Sequence, residues 1–394
     1  MVVCSLPRFP RASAGDASRR PFDDHERPFT VGVEEELMLL DPETLDLLPA
    51  CEAALERLDD ARFRSELPAA QLELVSPVCL HADDLPAALV AARCTAVERL
   101  DGFARLAGAG VHPFAAPEGA ASAGARYTAL SERYQWAARR AMTCGVHVHV
   151  AVPGCDRAVA IHDALRAHLP ELAALAGNAP FHEGRDTGLH SVRPKLCESL
   201  PRQGIPPPLE SWAAYRELLA WGAAGNAFPA SEVWWEVRLH AVHGTVEVRV
   251  CDQPATAAAS ATLAAVVQAL CAWLSARHDA GALGAPAATV RIQENRWRAL
   301  RHGLDGTFLD LDTGRPVPAR ERVAALLAAL EPVAAGLGSS AAFAGAWTLL
   351  EATGSARQRA VAAETGGDLR AVTEELAARL EDETLARAPV SAAS

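Results

Sequence analysis

The segment Gly145–Val152 reads GVHVHVAV, and strict alternation over that length is the strongest constraint in the chain. Successive side chains of a strand point to opposite faces, so Val146, Val148 and Val150 share one face and His147 and His149 the other. The same test applied to four more segments gives the same division. In Phe29–Leu40, Val31, Val33, Leu37 and Leu39 share a face with Glu35, while Gly32, Glu34, Glu36, Met38 and Leu40 lie opposite. Glu34 and Glu36 are therefore side by side, about 7 Å apart along the strand. In Gln71–Val75, Leu72 and Leu74 oppose Gln71 and Glu73. In Trp234–His240, Trp235, Val237 and Leu239 oppose Trp234, Glu236, Arg238 and His240. In Thr245–Val250, three valines oppose Thr245, Glu247 and Arg249.

Between these strands the periodicity predicts helices over Asp84–Leu106, Arg157–Ala176, Leu209–Trp221, Ala257–His278, Arg320–Gly336 and Asp368–Leu385. Strand spacing is too irregular for a βαβ repeat, so the expected class is α+β, with antiparallel strands and helices on one side. The uncharged stretch Ala255–Ala276 is mostly alanine, interleaved with Thr256, Ser260, Thr262, Gln268 and Ser275. It is read as a core helix and not a membrane span, which would be dominated by larger apolar residues. The expected organisation is a flexible leader over 1–28, a single domain over 29–385 whose helical part is 320–385, and a tail over 386–394. Two loops, Glu183–Pro208 and Asp305–Pro318, have the length and composition of functional segments.

Composition narrows the chemistry. The chain of 394 residues carries a net charge of −12, which gives no footprint for nucleic acid. Lys195 is its single lysine beside 36 arginines, so a GK[ST] phosphate loop is absent and phosphate must be gripped by arginine, backbone or metal. Nine cysteines are scattered without a CxxC, against a disulfide framework or zinc ribbon and in keeping with a reducing cytoplasm. The leader lacks the apolar region of a secretory signal.

Glutamate, histidine and arginine on five outward strand faces describe either a solvated surface or a site. Solvated faces use lysine, threonine, serine and glutamine more often. Clustered carboxylates repel one another unless a cation intervenes. Carboxylates with an imidazole suit Mg²⁺ or Mn²⁺, whereas zinc finds neither grouped cysteines nor HExxH. This chemistry points to a metal–nucleotide site with arginines steadying phosphoryl groups. Either His147 or His149 is the ligand on this reading.

Nine segments in order then resemble one family: TVGVEEELMLLDPET (30–44), ELPAAQLELVSPVC (66–79), AGVHPFA (109–115), RYTAL (126–130), CGVHVHVAVP (144–153), NAPFHEGRDTGLHSVRPKLCESLPRQGIPP (178–207), WWEVRLH (234–240), HGTVEVRVCDQPAT (243–256) and ENRWRALRHGLDG (294–306). Each is weak alone; nine in order are specific. The chain resembles the carboxylate–amine ligases of the glutamate–cysteine ligase type 2 group. The resemblance implies a glutamine synthetase-like catalytic domain, a curved antiparallel sheet forming a funnel backed by helices. It also implies ATP as co-substrate, two or more Mg²⁺ ions, and an acyl phosphate that an amine attacks. The nominal substrates are L-glutamate and L-cysteine, with a homodimer, no membrane and no nucleic acid among the partners. By the same resemblance Glu34, Glu36, Glu73, His149 and Glu247 hold metal, and Glu73, Glu247 and Arg249 are catalytic. Arg185, Arg193, Lys195, Arg238, Asn295 and Arg298 are the expected contacts to substrate or ATP. Departures from the family pattern at Ala151, at NAPF (178–181), and at His190 and Val192 bear on substrate choice. Other readings of the same residues are ligase chemistry on a different amine or carboxylate, a sensor that binds nucleotide without turnover, and a cupin-like metalloenzyme built on the histidine pair.

Overall fold

A computed structural model describes Phe22 and residues 27–385; the expected leader, except Phe22, Arg27 and Pro28, and the whole expected tail lie outside the described residues. Phe22 is fully buried, with its ring 5.6 Å from that of Trp212 in an edge-on contact.

The strands are β1 (Val31–Leu40), β2 (Phe63–Ser65), β3 (Gln71–Val75), β4 (Arg105–Ala107), β5 (Val146–Ala151), β6 (Phe181–His182), β7 (Arg185–Asp186), β8 (Val237–His240) and β9 (Thr245–Val248). The main sheet runs β2-β3-β1-β5-β9-β8, with β4 also paired to β1. Every pairing is antiparallel. The α+β class expected from periodicity is what the chain adopts.

One face of the sheet is the core. Val33, Leu37, Leu72, Leu74, Val148, Val237 and Val246 are all buried there, beneath the helix Ala257–Asp279. That helix is long and apolar enough to cross a membrane by length and composition, and 78% of its most apolar window is buried inside the protein. It packs on the helix Ser340–Glu351 at a close crossing where a Cβ on Gly345 would come within 2.2 Å of the Thr262 hydroxyl.

The opposite face is divided. At one end Met38, Leu40 and Ala107 form a smaller apolar cluster with Val372 and Leu376 of the C-terminal helix Leu369–Leu385. The remainder is polar.

Three expectations are corrected by the structure. The helix expected over Asp84–Leu106 ends at Arg99, and Arg105–Ala107 is strand β4, because a turn with Gly102 at φ +69° redirects the chain. Arg157–Ala176 is two helices, Cys155–Leu165 and Leu169–Ala176, with a 3₁₀ turn between them and Pro170 in the first turn of the second. The loop Asp305–Pro318 holds a small hairpin that pairs Thr307–Leu309 with Pro316–Pro318.

Candidate functional site

Register brings the polar residues together. His149 lies opposite Gly32 on one side and Glu247 on the other, and Glu247 lies opposite Arg238. Glu34 is paired with His147, and Glu36 with Glu73. Residues more than two hundred positions apart thus form one belt across the sheet.

Glu34, His149 and Glu247 each offer a ligand atom, and these atoms lie within 4.8 Å of one another. His149 Nε2 is 3.5 Å from Glu34 Oε2 and 4.0 Å from Glu247 Oε1. That nitrogen is buried and makes no hydrogen bond, while Nδ1 is 2.9 Å from the Thr245 hydroxyl. One ring nitrogen fixed by a neighbour and the other facing two carboxylates is the arrangement of a metal-ligating histidine. The three groups fit a divalent cation.

His147 occupies a different place. Its Nδ1 is 3.3 Å from both Glu34 Oε2 and Arg249 Nη1, and its Nε2 is 3.7 Å from Glu36 Oε1. One nitrogen cannot donate to Glu34 and accept from Arg249 at once, so the protonation of His147 selects its partner. Burial, then the Arg249 charge, lowers its pKa.

The charges of the belt are strongly coupled. Burial opposes ionisation of Glu247, but Arg238, Arg249 and His149 outweigh it and hold the carboxyl well below its usual range. Arg238 Nε lies 2.5 Å from Glu247 Oε2, and Arg249 binds the other oxygen. Burial likewise opposes charge on Glu34, yet His149 and His147 hold it low. His149 is raised, because Glu247 and Glu34 outweigh its burial. Glu73 goes the other way: burial first, then Glu34, Glu66 and Glu36, push it well above the usual range. Glu66 is raised by burial and by Glu36. Two carboxylates pushed upward beside two held down describe a site short of positive charge.

A cavity of about 110 Å³ opens beside this belt, lined by Glu36, Glu66, His147, Arg193, Glu236 and Arg249 among others. Arg193 is buried, and its guanidinium donates to the carbonyls of Val250 and Arg249. The other expected substrate contacts do not line this cavity. Arg185 is largely exposed on the β6–β7 hairpin and pairs with Glu183. Lys195 pairs with Glu198 at 2.7 Å and lies over the Trp297 ring. Asn295 exchanges two 2.7 Å hydrogen bonds with the Leu309 backbone, tying its helix to the hairpin. Arg298 pairs with Glu294 one turn away. Arg238 belongs to the belt, as the partner of Glu247.

Glu66, Glu236 and Arg126 line the cavity but were not singled out by sequence reasoning. Glu236 could have been found from its place on the polar face beside Arg238. Glu66 and Arg126 lie outside the alternating strands, where periodicity gives no signal.

With this geometry in place, comparison with known proteins is decisive. The family model of glutamate-cysteine ligase family 2 matches residues 30–375. The chain belongs to that family. A Rubrobacter xylanophilus protein named "Putative glutamate--cysteine ligase 2-3" is 40% identical over 359 residues, 89% of this chain and 96% of that one. A Gloeobacter violaceus protein named "Putative glutamate--cysteine ligase 2" is 35% identical over 86% of this chain and 94% of its own length. Among solved structures, a bifunctional glutathione synthetase from Pasteurella multocida superposes with a TM-score of 0.70 at 14% identity, covering 93% of this chain and 53% of that one. A glutamate–cysteine ligase from Francisella tularensis in complex with AMP superposes at 0.62 with 13% identity, covering 92% and 94%. At such identities the structures show that the family-2 chain shares their fold.

Proposed function

We propose that this chain is an ATP-dependent carboxylate–amine ligase, with L-glutamate and L-cysteine as its nominal substrates and Mg²⁺ or Mn²⁺ as its metal. The observation that carries the reading is the Glu34–His149–Glu247 triad beside a carboxylate group short of positive charge, with Arg249 at the junction. Bound divalent ions would neutralise the phosphate tail and align the transferring group. Glu34, His149 and Glu247 would hold one; Glu36 and Glu73 would serve a further one.

In the reaction a carboxylate oxygen of the donor attacks the γ-phosphorus as the bond to the bridging oxygen of ADP breaks. The amine then attacks the acyl phosphate carbon, forming the amide, releasing inorganic phosphate and losing a proton. Arg249 is half-buried and held by Glu247, so its guanidinium is fixed before charge develops on the transferring group. Arg193, buried in the cavity wall, supplies a second positive charge.

The test is ADP release from ATP and Mg²⁺ with L-glutamate, alone and with a panel of amines including L-cysteine. Release that requires glutamate and rises with cysteine supports the nominal pair. Release with glutamate that cysteine leaves unchanged redirects the amine. ATP binding without ADP under every pairing would overturn the ligase reading in favour of a sensor. The family names of the relatives support the nominal pair.

A further inference from the structure

The helix Gly354–Glu364 lines no part of the cavity, yet its buried face is given over to the segment that carries Arg193. Its buried residues are Ser355, Gln358 and Ala362, one stripe at helical spacing, and two of the three are polar. The helix that follows, Leu369–Leu385, is instead held to the sheet by Val372 and Leu376. Burying a hydroxyl and an amide is costly unless both are hydrogen-bonded, and their partners then fix the geometry in a way that apolar packing does not.

Those partners form two routes to Arg193. Gln358 Nε2 donates to the carbonyl of Asn178 at 2.9 Å and to its side-chain oxygen at 2.7 Å. Asn178 in turn donates through its backbone to Asp252 Oδ2 at 2.7 Å, and through Nδ2 to the carbonyls of Gly108 and Gln253. Asp252 Oδ1 is 3.8 Å from Arg193 Nη1, and both residues are buried. On the second route Ser355 donates from its backbone to the Gly177 carbonyl at 2.9 Å and from its hydroxyl to the His190 carbonyl. Between these two anchors Ala179 pairs in parallel with Ser191, and Val192 donates to the Ala179 carbonyl immediately before Arg193. Both ends of the path leave no room for a side chain. A Cβ on Gly354 would lie 2.2 Å from Asn178 Oδ1, and one on Gly145 would lie 2.1 Å from Arg193 Nη2. Neither glycine has a positive φ, so close approach and not backbone conformation excludes a larger residue.

We propose that Gln358 and Ser355 are positioning residues, which set the guanidinium of Arg193 in the cavity wall from a helix that touches no substrate. A close-packed, fully hydrogen-bonded path passes a displacement on instead of absorbing it. Loosening its outer end therefore lets Arg193 shift relative to Arg249, whose carbonyl it binds. The inference deepens the ligase reading and rests on it only for the kinetic half of its test.

Hydrogen exchange of the full chain, without ligand, tests the path itself. Gln358→Met keeps the length of the side chain and removes both donors to Asn178. The expected result is that amides of 190–197 exchange at least roughly tenfold faster in this variant, while those of 245–248 are unchanged. Arg357→Gln is the comparison, because it cuts the pair with Glu375 on the same helix and leaves both routes intact. With Mg²⁺, ATP, L-glutamate and L-cysteine, kcat for ADP release in Gln358→Met is expected to fall at least roughly tenfold. The KM for ATP stays within about twofold, as for a contact that matters in the transition state. Ser355→Ala, with the same two readouts, stands in if circular dichroism shows Gln358→Met to be misfolded. Faster exchange confined to 354–364, the same changes in Arg357→Gln, or faster exchange at 190–197 with kcat unchanged would overturn the proposal. No ADP release from the native chain under any pairing would overturn the ligase reading, and the exchange result would then uphold or overturn the path alone.

Discussion

Thr245 shows how much of the proposed metal site would depend on a residue that is not one of its ligands. Its hydroxyl, 2.9 Å from His149 Nδ1, fixes the ring so that Nε2 faces Glu34 and Glu247. Thr245→Val keeps the shape of the side chain and removes that contact. The expected outcome is a loss of roughly 10- to 100-fold in Mn²⁺ affinity, measured by titration, with the fold intact. Glu247→Gln is expected to be more severe, since it removes a proposed ligand and strands Arg238 and Arg249 beside a neutral group. ADP release is expected to fall by at least about 10²-fold in this variant and in Glu73→Gln, with circular dichroism unchanged. Normal turnover in both would remove the metal-belt assignment. At this scale the sequence was legible wherever a strand alternates: the facing of Glu34, Glu36, Glu73, His149, Glu247 and Arg249 is that expected from period two. It was silent for Glu66 and Arg126, which reach the site from a loop and a helix. Alternation alone was also silent on which histidine joins the triad, because His147 and His149 share a face; only the family resemblance pointed to His149.

Among the elements, β1 is held from behind by an ion pair. Glu35, on the apolar face, is fully buried and bound by Arg93 of the helix Leu85–Arg99 through contacts of 2.7 and 3.0 Å. Arg93 also reaches Glu383 of the C-terminal helix at 3.3 Å, and Glu383 accepts from the backbone of Ala257, at the start of the core helix. Gln253 links this cluster to the belt, donating to Glu35 at 3.3 Å and accepting from the Glu36 backbone at 3.1 Å. Arg93→Leu leaves Glu35 charged in the core and is expected to cost about 3–5 kcal/mol in urea unfolding. Glu383→Gln, at a half-exposed partner, is expected to cost about 1 kcal/mol. Equal effects would mean that the pair is not what holds β1. A glutamate on the apolar face was visible in the alternation, but its partner was not, because a helix fifty-eight residues away gives no sequence sign of which strand it covers. The short strands β2 and β4 were missed for a related reason. Three residues carry too little alternation to read, and pairing to β3 and β1 is what makes them strands.

For the molecule as a whole, stability should depend on acid in a predictable sense. His190 is buried against Ala174, its Nε2 2.9 Å from that carbonyl, and burial pushes its pKa down to about 4. Its ring fills a space in which a Cβ on Gly177 or Gly303 would clash. The unfolded chain takes up a proton near pH 6.5 and the folded chain does so only near 4, so acid favours unfolding between those values. Stability from this residue is full above about pH 6.5 and is lost as pH falls toward 4. The expected melting temperature drops between pH 7 and pH 4.5, and His190→Gln shows a shallower drop after any fixed loss from repacking. An unchanged slope would assign the acid sensitivity elsewhere.

The order in which the belt is assembled along the chain has a consequence for synthesis. Glu34 leaves the ribosome first, His149 follows more than a hundred residues later, and Glu247 almost a hundred after that. β1 lies at the middle of the sheet, between β3 and β5, and its apolar face is covered by Ala257–Asp279. A nascent chain halted before the core helix has emerged therefore leaves part of a valine-rich sheet face without its cover. Such chains are expected to be held by chaperones or degraded, and the proposed cation site is complete only when the second half of the protein has emerged.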